Sequence, residues 1–160
     1  MTVRTGLGWD SHRLVAGRPL ILGGVTFEGA ELGLDGHSDA DVLTHAVIDA
    51  LLGAAGMDDI GAHFPDSDSD YAGADSIVLL RNVVDMLTAQ GLRVAHVDTT
   101  ILMERPKIGP YRVAIRERLA EAIGIHHSSV NVKASTGEGM GFVGRLEGVA
   151  ALAVATVVQD

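Results

Sequence analysis

A chain of 160 residues with no cysteine has the size of about one domain and can form neither a disulfide nor a thiolate metal site. Its formal charge of -9, from 12 Lys and Arg against 21 Asp and Glu, excludes general nucleic-acid binding, which needs a basic surface. It leaves a phosphorylated small molecule open, provided cations offset the repulsion.

Hydrophobic residues make up 47% of the chain and mean hydropathy is +0.26, yet no run reaches the roughly 18 apolar residues of a membrane-spanning helix. The apolar excess is therefore assigned to a core and a subunit interface. The opening MTVRTGLGWDSH lacks the apolar core of a signal peptide, which points to the cytoplasm.

Residues 2–10 read as a strand that runs into Asp10-Ser11-His12. In extended backbone Asp10 and His12 point the same way, roughly 6–7 Å apart, so both can reach one ion. Segment 19–28 reads as a hairpin turning at Gly23-Gly24. A polar loop from Asp35 then gives way to apolar residues at 42, 43, 46, 47, 50 and 51, which predicts a helix over 38–55. Ser38 or Asp39 is its expected N-cap, and Ser38 with Asp41 has capping-box spacing. Asp41, His45 and Asp49 fall at i, i+4 and i+8, on one stripe. Asp41 reads as a cap and dipole partner, and Asp49 as an outer support for a metal ligand or a plain surface acid. Added to Asp10 and His12, His45 completes a two-histidine, one-carboxylate set, the kind that leaves a coordination position open.

The acidic stretch 56–70 is too long for a bare connector and reads as a lid or binding loop. A calcium loop is excluded: counting from Asp66, the sixth and twelfth positions are Tyr71 and Ile77, where Gly and Glu are needed. A second helix is expected over 75–90, stopped by Gly91, and a strand over 92–103. Pro106 and Pro110 make 104–110 a fixed loop carrying Arg105 and Lys107. A third helix covers 111–123, and His126 and His127 beyond it read as surface residues. The strand 129–134 runs into Ser135–Arg145, where glycines at 137, 139, 141 and 144 let backbone N–H groups approach an anion, with the Thr136 hydroxyl beside them. With no helix clearly following, this is neither a Walker A loop nor a dinucleotide fingerprint, and a plain flexible hairpin is the alternative. Residues 147–158 are apolar on both faces and read as a central or interface strand.

These elements predict an α/β chain of α+β-like character, a single domain over 1–160. It has a mixed sheet of about four strands plus a small hairpin, three helices on one face, and the other face free for another subunit. The metal set, glycine loop, cationic Pro loop and acidic lid together indicate a metal-dependent enzyme acting on a phosphate ester or anhydride.

Several stretches carry a family resemblance: Gly8–His12, His37–Val42, His45-Ala46, Asp49–Ala54, Asp59–Gly61, Phe64–Asp66, Pro106-Lys107, Asn131–Ala134, Gly141-Phe142 and Gly144–Gly148. In that order, over nearly the whole chain, they resemble the 2-C-methyl-D-erythritol 2,4-cyclodiphosphate synthases of non-mevalonate isoprenoid synthesis. The resemblance implies cyclisation of 4-diphosphocytidyl-2-C-methyl-D-erythritol 2-phosphate with loss of CMP. It also implies zinc on Asp10, His12 and His45, and a second cation, magnesium or manganese, on Glu138. His37 and Thr136 match transition-state residues. Asp59 and Asp66 match contacts to the erythritol part, and Ser38 and Gly61 match substrate-binding positions. Met103, Pro106, Lys107 and Gly109, with Ala134, Ser135 and Gly137, match the cytidine and phosphate contacts. Phe142 and Arg145 match further substrate positions. Homotrimers with sites between subunits are implied too, with Arg145 and Glu147 lining an axial cavity that takes isoprenoid diphosphates in relatives. One departure stands out: Gly137 lies where the family carries a hydroxyl residue. A metal phosphohydrolase and a non-catalytic nucleotide-binding trimer are the rival readings.

Overall fold

The computed structural model describes all 160 residues. In chain order the elements are β1 (Thr2–Val15), β2 (Ile21–Leu22), β3 (Val25–Thr26), β4 (Gly33–Leu34), α1 (Val42–Ala55), α2 (Ile60–His63), α3 (Ser76–Ala89), β5 (Arg93–Leu102), α4 (Arg112–Ile123), β6 (Val130–Ser135), α5 (Gly141–Gly144) and β7 (Gly148–Gln159). A five-stranded sheet has the order β4-β1-β7-β5-β6, and β2 with β3 forms a separate hairpin. The β5–β6 pair is parallel and the other pairs antiparallel. The doubly apolar 147–158 segment is the central strand, as its pattern predicted. The sheet has five strands where about four were expected, because β1 runs on to Val15 and pairs its last two residues with β4.

The helix expected from residue 38 starts at Val42. Ala40 takes φ +56°, a left-handed conformation that no helix interior accommodates. Asp41, not Ser38 or Asp39, is the N-cap, and its carboxylate accepts the Thr44 N–H at 3.0 Å. The same buried carboxylate accepts the N–H groups of Gly23 and Gly24 at 2.9 and 2.7 Å, tying the β2–β3 hairpin to the helix start. Burial is the main force raising the Asp41 pKa above the usual carboxylate range.

Twelve of the fourteen α1 residues are buried, so α1 is a central helix and not an amphipathic surface one. It packs on β1, β7 and β5, α3 packs on it, and α4 packs against α3 and β6. One apolar cluster of 38 residues runs through these layers, which makes a single folding unit. No helix is long and apolar enough to cross a membrane.

The closeness of α1 to β1 comes from small residues. Even-numbered residues of β1 face α1, and two of them are Gly6 and Gly8. A Cβ on Gly8 would fall 1.8 Å from the Ala46 carbonyl oxygen, and one on Gly6 would fall 2.1 Å from that of Ala50. Ala46, Ala50 and Ala54 repeat every fourth residue and present the matching stripe. The odd-numbered residues Val3, Leu7 and Trp9 project from the opposite face and are exposed, with Val154 of β7 beside them.

Candidate metal centre and nucleotide cavity

The register that brings Gly8 under Ala46 continues along both elements. The next even residues of β1 are Asp10 and His12, and the residue before Ala46 is His45. Asp10 Oδ2 lies 2.9 Å from His12 Nε2 and 3.1 Å from His45 Nδ1, and the two ring nitrogens are 3.2 Å apart. Four ligands around an ion at about 2.0–2.1 Å are separated by about 3.3 Å, so the three atoms stand close to one face of such a tetrahedron. The spacing and the donor types fit a divalent metal, with one coordination position left to a ligand.

Both imidazoles are oriented by their outer nitrogens. His12 Nδ1–H donates to the Asp35 carbonyl at 2.9 Å, which leaves the Nε2 lone pair facing inward. His45 Nε2 lies 2.8 Å from Ser76 Oγ and 3.2 Å from Ser38 Oγ. Because Ser76 donates its own proton to Asp39, it accepts from His45, and Nδ1 is left free for an ion. Burial alone would raise the Asp10 pKa. In the metal-free protein a proton on the inward ring nitrogens, in place of an ion, lets His12 and His45 hydrogen-bond the carboxylate, which outweighs burial and holds the carboxyl at about 2. Burial also works against a charged His12, and the Asp10 carboxylate overcomes it, so the His12 pKa is raised.

The expected stripe of Asp41, His45 and Asp49 does not form. Asp41 precedes the helix and turns toward the hairpin. Asp49 accepts the Ile60 N–H at 2.8 Å, fixing the start of α2, and burial raises its pKa. It is therefore neither a free surface acid nor bonded to either histidine.

Around the three ligands opens a cavity of about 390 Å³. His37, Ser38, Gly61 and Asp66 line it. Phe64, Tyr71 and Leu79 supply apolar wall that sequence reasoning missed. His37 Nδ1 is 3.9 Å from Asp66 Oδ1. Asp59 lies outside the lining and caps α2 by accepting the Ala62 N–H at 3.0 Å.

A second cavity, of about 210 Å³, gathers Met103, Pro106, Lys107 and Gly109 from the loop after β5 and Ala134, Ser135 and Thr136 from the end of β6. The two cavities share no residue. Asp10, Ala151, Ile101 and Ala134 form one row across the sheet, which separates the ends by three strand spacings, about 14 Å. Ala151 and Ile101 between them are fully buried.

Glu138 is exposed at φ +52° and lines neither cavity. The Gly137 N–H donates to Glu104 Oε1 at 2.5 Å. A Cβ on Gly137 would fall 2.7 Å from both Gly144 N and Met140 O, so the fold of the loop here demands glycine. That loop includes the single-turn helix α5, where the glycine-rich sequence predicts none. Phe142 lines a third recess beside His12 and Gly148, and Arg145 pairs with Glu147 at 3.2 Å.

The YgbB family profile matches residues 3–158. A Symbiobacterium thermophilum protein named 2-C-methyl-D-erythritol 2,4-cyclodiphosphate synthase is 57% identical over 152 residues, covering 95% of this chain and 96% of its own. A Bordetella petrii protein of the same name is 55% identical over 156 residues, covering 98% and 96%. The solved CDP complex of Plasmodium falciparum IspF superposes with a TM-score of 0.86 at 27% identity, covering 99% of this chain and 97% of that one.

Proposed function

The chain belongs to the YgbB family, and from that premise we propose that it converts 4-diphosphocytidyl-2-C-methyl-D-erythritol 2-phosphate into 2-C-methyl-D-erythritol 2,4-cyclodiphosphate and CMP. An oxygen of the 2-phosphate attacks the β-phosphorus of the same molecule. The bond from that phosphorus to the oxygen bridging the α-phosphate breaks, and CMP leaves with the bridging oxygen. No water is consumed, which makes the reaction that of a phosphorus–oxygen lyase. Nucleophile and electrophile share one molecule, so the protein has to supply geometry and charge compensation, not a covalent nucleophile.

Asp10, His12 and His45 would hold the first ion, assigned as zinc, which when bound neutralises phosphate charge and withdraws electrons from phosphorus. Glu138 is assigned to a second cation, magnesium or manganese. His37 from the metal cavity and Thr136 from the second cavity hydrogen-bond the phosphoryl oxygens as charge shifts. Ser38, Asp59, Gly61 and Asp66 hold the erythritol part. Met103, Pro106, Lys107 and Gly109 with Ala134, Ser135 and Gly137 take the cytidine and its phosphates, and Phe142 and Arg145 border the substrate.

A homotrimer follows from the same reading. His37 and Thr136 line separate cavities in one chain, with the buried Ala151–Ile101 strip between them. A substrate that needs both is served when the metal cavity of one subunit meets the nucleotide cavity of the next. The uncovered apolar face of β1 and β7 supplies surface for that association. Arg145 and Glu147 would then border an axial cavity open to an isoprenoid diphosphate.

The observation that carries the proposal is the convergence of Asp10, His12 and His45 beside His37. The test is incubation with the cytidyl substrate, zinc and magnesium, following CMP and the cyclic product together. Equal release of both is expected. Inorganic phosphate without cyclic product would turn the assignment to a hydrolase, and absence of turnover to a binding protein.

A further inference from the structure

Arg18 lies outside every cavity lining described above, yet its guanidinium makes three hydrogen bonds to one short segment. Nε donates to the Leu34 carbonyl at 3.0 Å, Nη1 to that of Gly36 at 3.2 Å, and Nη2 to that of Ser38 at 3.0 Å. The chain bends at residues 36–39, which gathers onto one guanidinium carbonyls that an extended strand would space about 7 Å apart. The rigid, planar fork of an arginine is the side chain that can take three of them in sequence, and a lysine ammonium cannot span them. No carboxylate pairs with Arg18; its partners are all main-chain oxygens of 34–38.

The backbone of Arg18 is fixed against the same segment. A Cβ on Gly33 would fall 2.0 Å from the Arg18 carbonyl oxygen and 2.3 Å from that of Pro19, so only glycine lets the two stretches run side by side. The clamped segment in turn carries the site: the Asp35 carbonyl orients His12, His37 lines the metal cavity, and Ser38 Oγ touches His45. His37 is flanked on both sides by residues whose carbonyls Arg18 holds.

We infer that Arg18 is a positioning residue for His37, a three-carbonyl clamp that holds the 34–38 segment in the geometry the phosphoryl transfer needs. The inference rests on the assignment of His37 to that transfer. It requires nothing of Arg18 toward substrate or metal, since its nitrogens are spent on the main chain.

The test uses Arg18→Lys and Arg18→Ala in the full-length enzyme. A displacement of about 1 Å at a reacting group costs about a hundredfold in rate, so kcat should fall roughly 10- to 100-fold. KM and zinc content should stay within about twofold of the unsubstituted enzyme, because neither cavity loses a contact. Millimolar guanidinium should restore part of the kcat of Arg18→Ala and none of that of Arg18→Lys, whose side chain fills the space. Independently of turnover, amide exchange at Asp35 and Asp39 should speed up in Arg18→Lys. Exchange rates unchanged in Arg18→Lys would overturn the clamp itself. Faster exchange with normal kcat would overturn its link to catalysis, and so would loss of zinc in step with kcat. His37→Ala separates the premise: full turnover there removes the role of His37, while the exchange result still decides the clamp.

Discussion

Gly8 of β1 and Ala46 of α1 meet backbone to backbone, with the place of a Gly8 Cβ only 1.8 Å from the Ala46 carbonyl oxygen. Since His45 adjoins Ala46 and Asp10 follows Gly8 on the same strand face, this one approach sets the distance between the metal ligands. Gly8→Ala should push α1 off the sheet and cost about 3 kcal/mol or more, at the upper end for overpacking against atoms that cannot yield. Divalent metal bound per folded molecule should fall as well. Gly53→Ala is the control: its nearest atoms are 3.9 Å away, so helix propensity should stabilise it by up to about 1 kcal/mol. Urea unfolding and metal analysis of the purified variants check both.

Asp41 satisfies four donors at once: the N–H groups of Gly23, Gly24 and Thr44 and the Thr44 hydroxyl. Asp41→Ala removes an N-cap worth about 1 kcal/mol and strands the glycine donors, at about 1–3 kcal/mol for each buried one. A loss of about 3 kcal/mol or more is expected in denaturant unfolding. Asp41→Asn keeps one acceptor oxygen and should fall between the two.

In the metal-free protein the raised His12 pKa gives a stabilising contribution that is complete below the ordinary value of 6.5 and lost as pH rises through the raised value. The Asp10 carboxyl, lowered from 3.8 to about 2, contributes above 3.8 and loses its contribution as pH falls toward 2. Metal-free protein should therefore melt at a higher temperature near pH 6 than near pH 8.5, and Asp10→Asn should shrink the difference. Metal loading should reverse the slope, because protons and metal compete for the same His12 nitrogen. Scanning calorimetry with and without chelator reads both signs.

His37 and Thr136 occupy different cavities of one chain, so the trimer proposal makes a subunit-mixing prediction. His37→Ala and Thr136→Ala should each be nearly inactive alone. Unfolded together in equal amounts and refolded, they should recover roughly a quarter of full activity, the share of interfaces in a threefold ring that pair the two intact residues. No recovery would place both residues in one subunit's site.

The sequence was most readable where structure follows a short period. Alternation along β1 put Asp10 and His12 on one side, and the 3.6-residue pattern located α1, α3 and α4 to within a few residues. The start of α1 was misplaced because Ala40 adopts a left-handed turn that no local preference signals, and because Asp41 is claimed by a hairpin nearly twenty residues earlier. Ser76 and Asp39, which orient His45, and Arg18, which holds the His37 segment, act between parts of the chain brought together only by folding. Gly6 and Gly8 on their own carry no signal for a helix contact. Set beside Ala46, Ala50 and Ala54, they form a matching small-residue pattern, and that match was a usable signal for the strand–helix contact that builds the site. The two-cavity arrangement had no local signature, since it depends on β7 and β5 lying between β1 and β6.

Trp9, the single tryptophan of the chain, stands 52% exposed on the bare face of β1. In the proposed trimer its indole becomes a built-in optical probe of assembly. Dilution that separates subunits should shift its emission to longer wavelength as the ring enters water, and association should shift it back. The midpoint of that spectral change against protein concentration would give the assembly constant without any label, and binding a cytidine nucleotide across two subunits should move it to lower concentration.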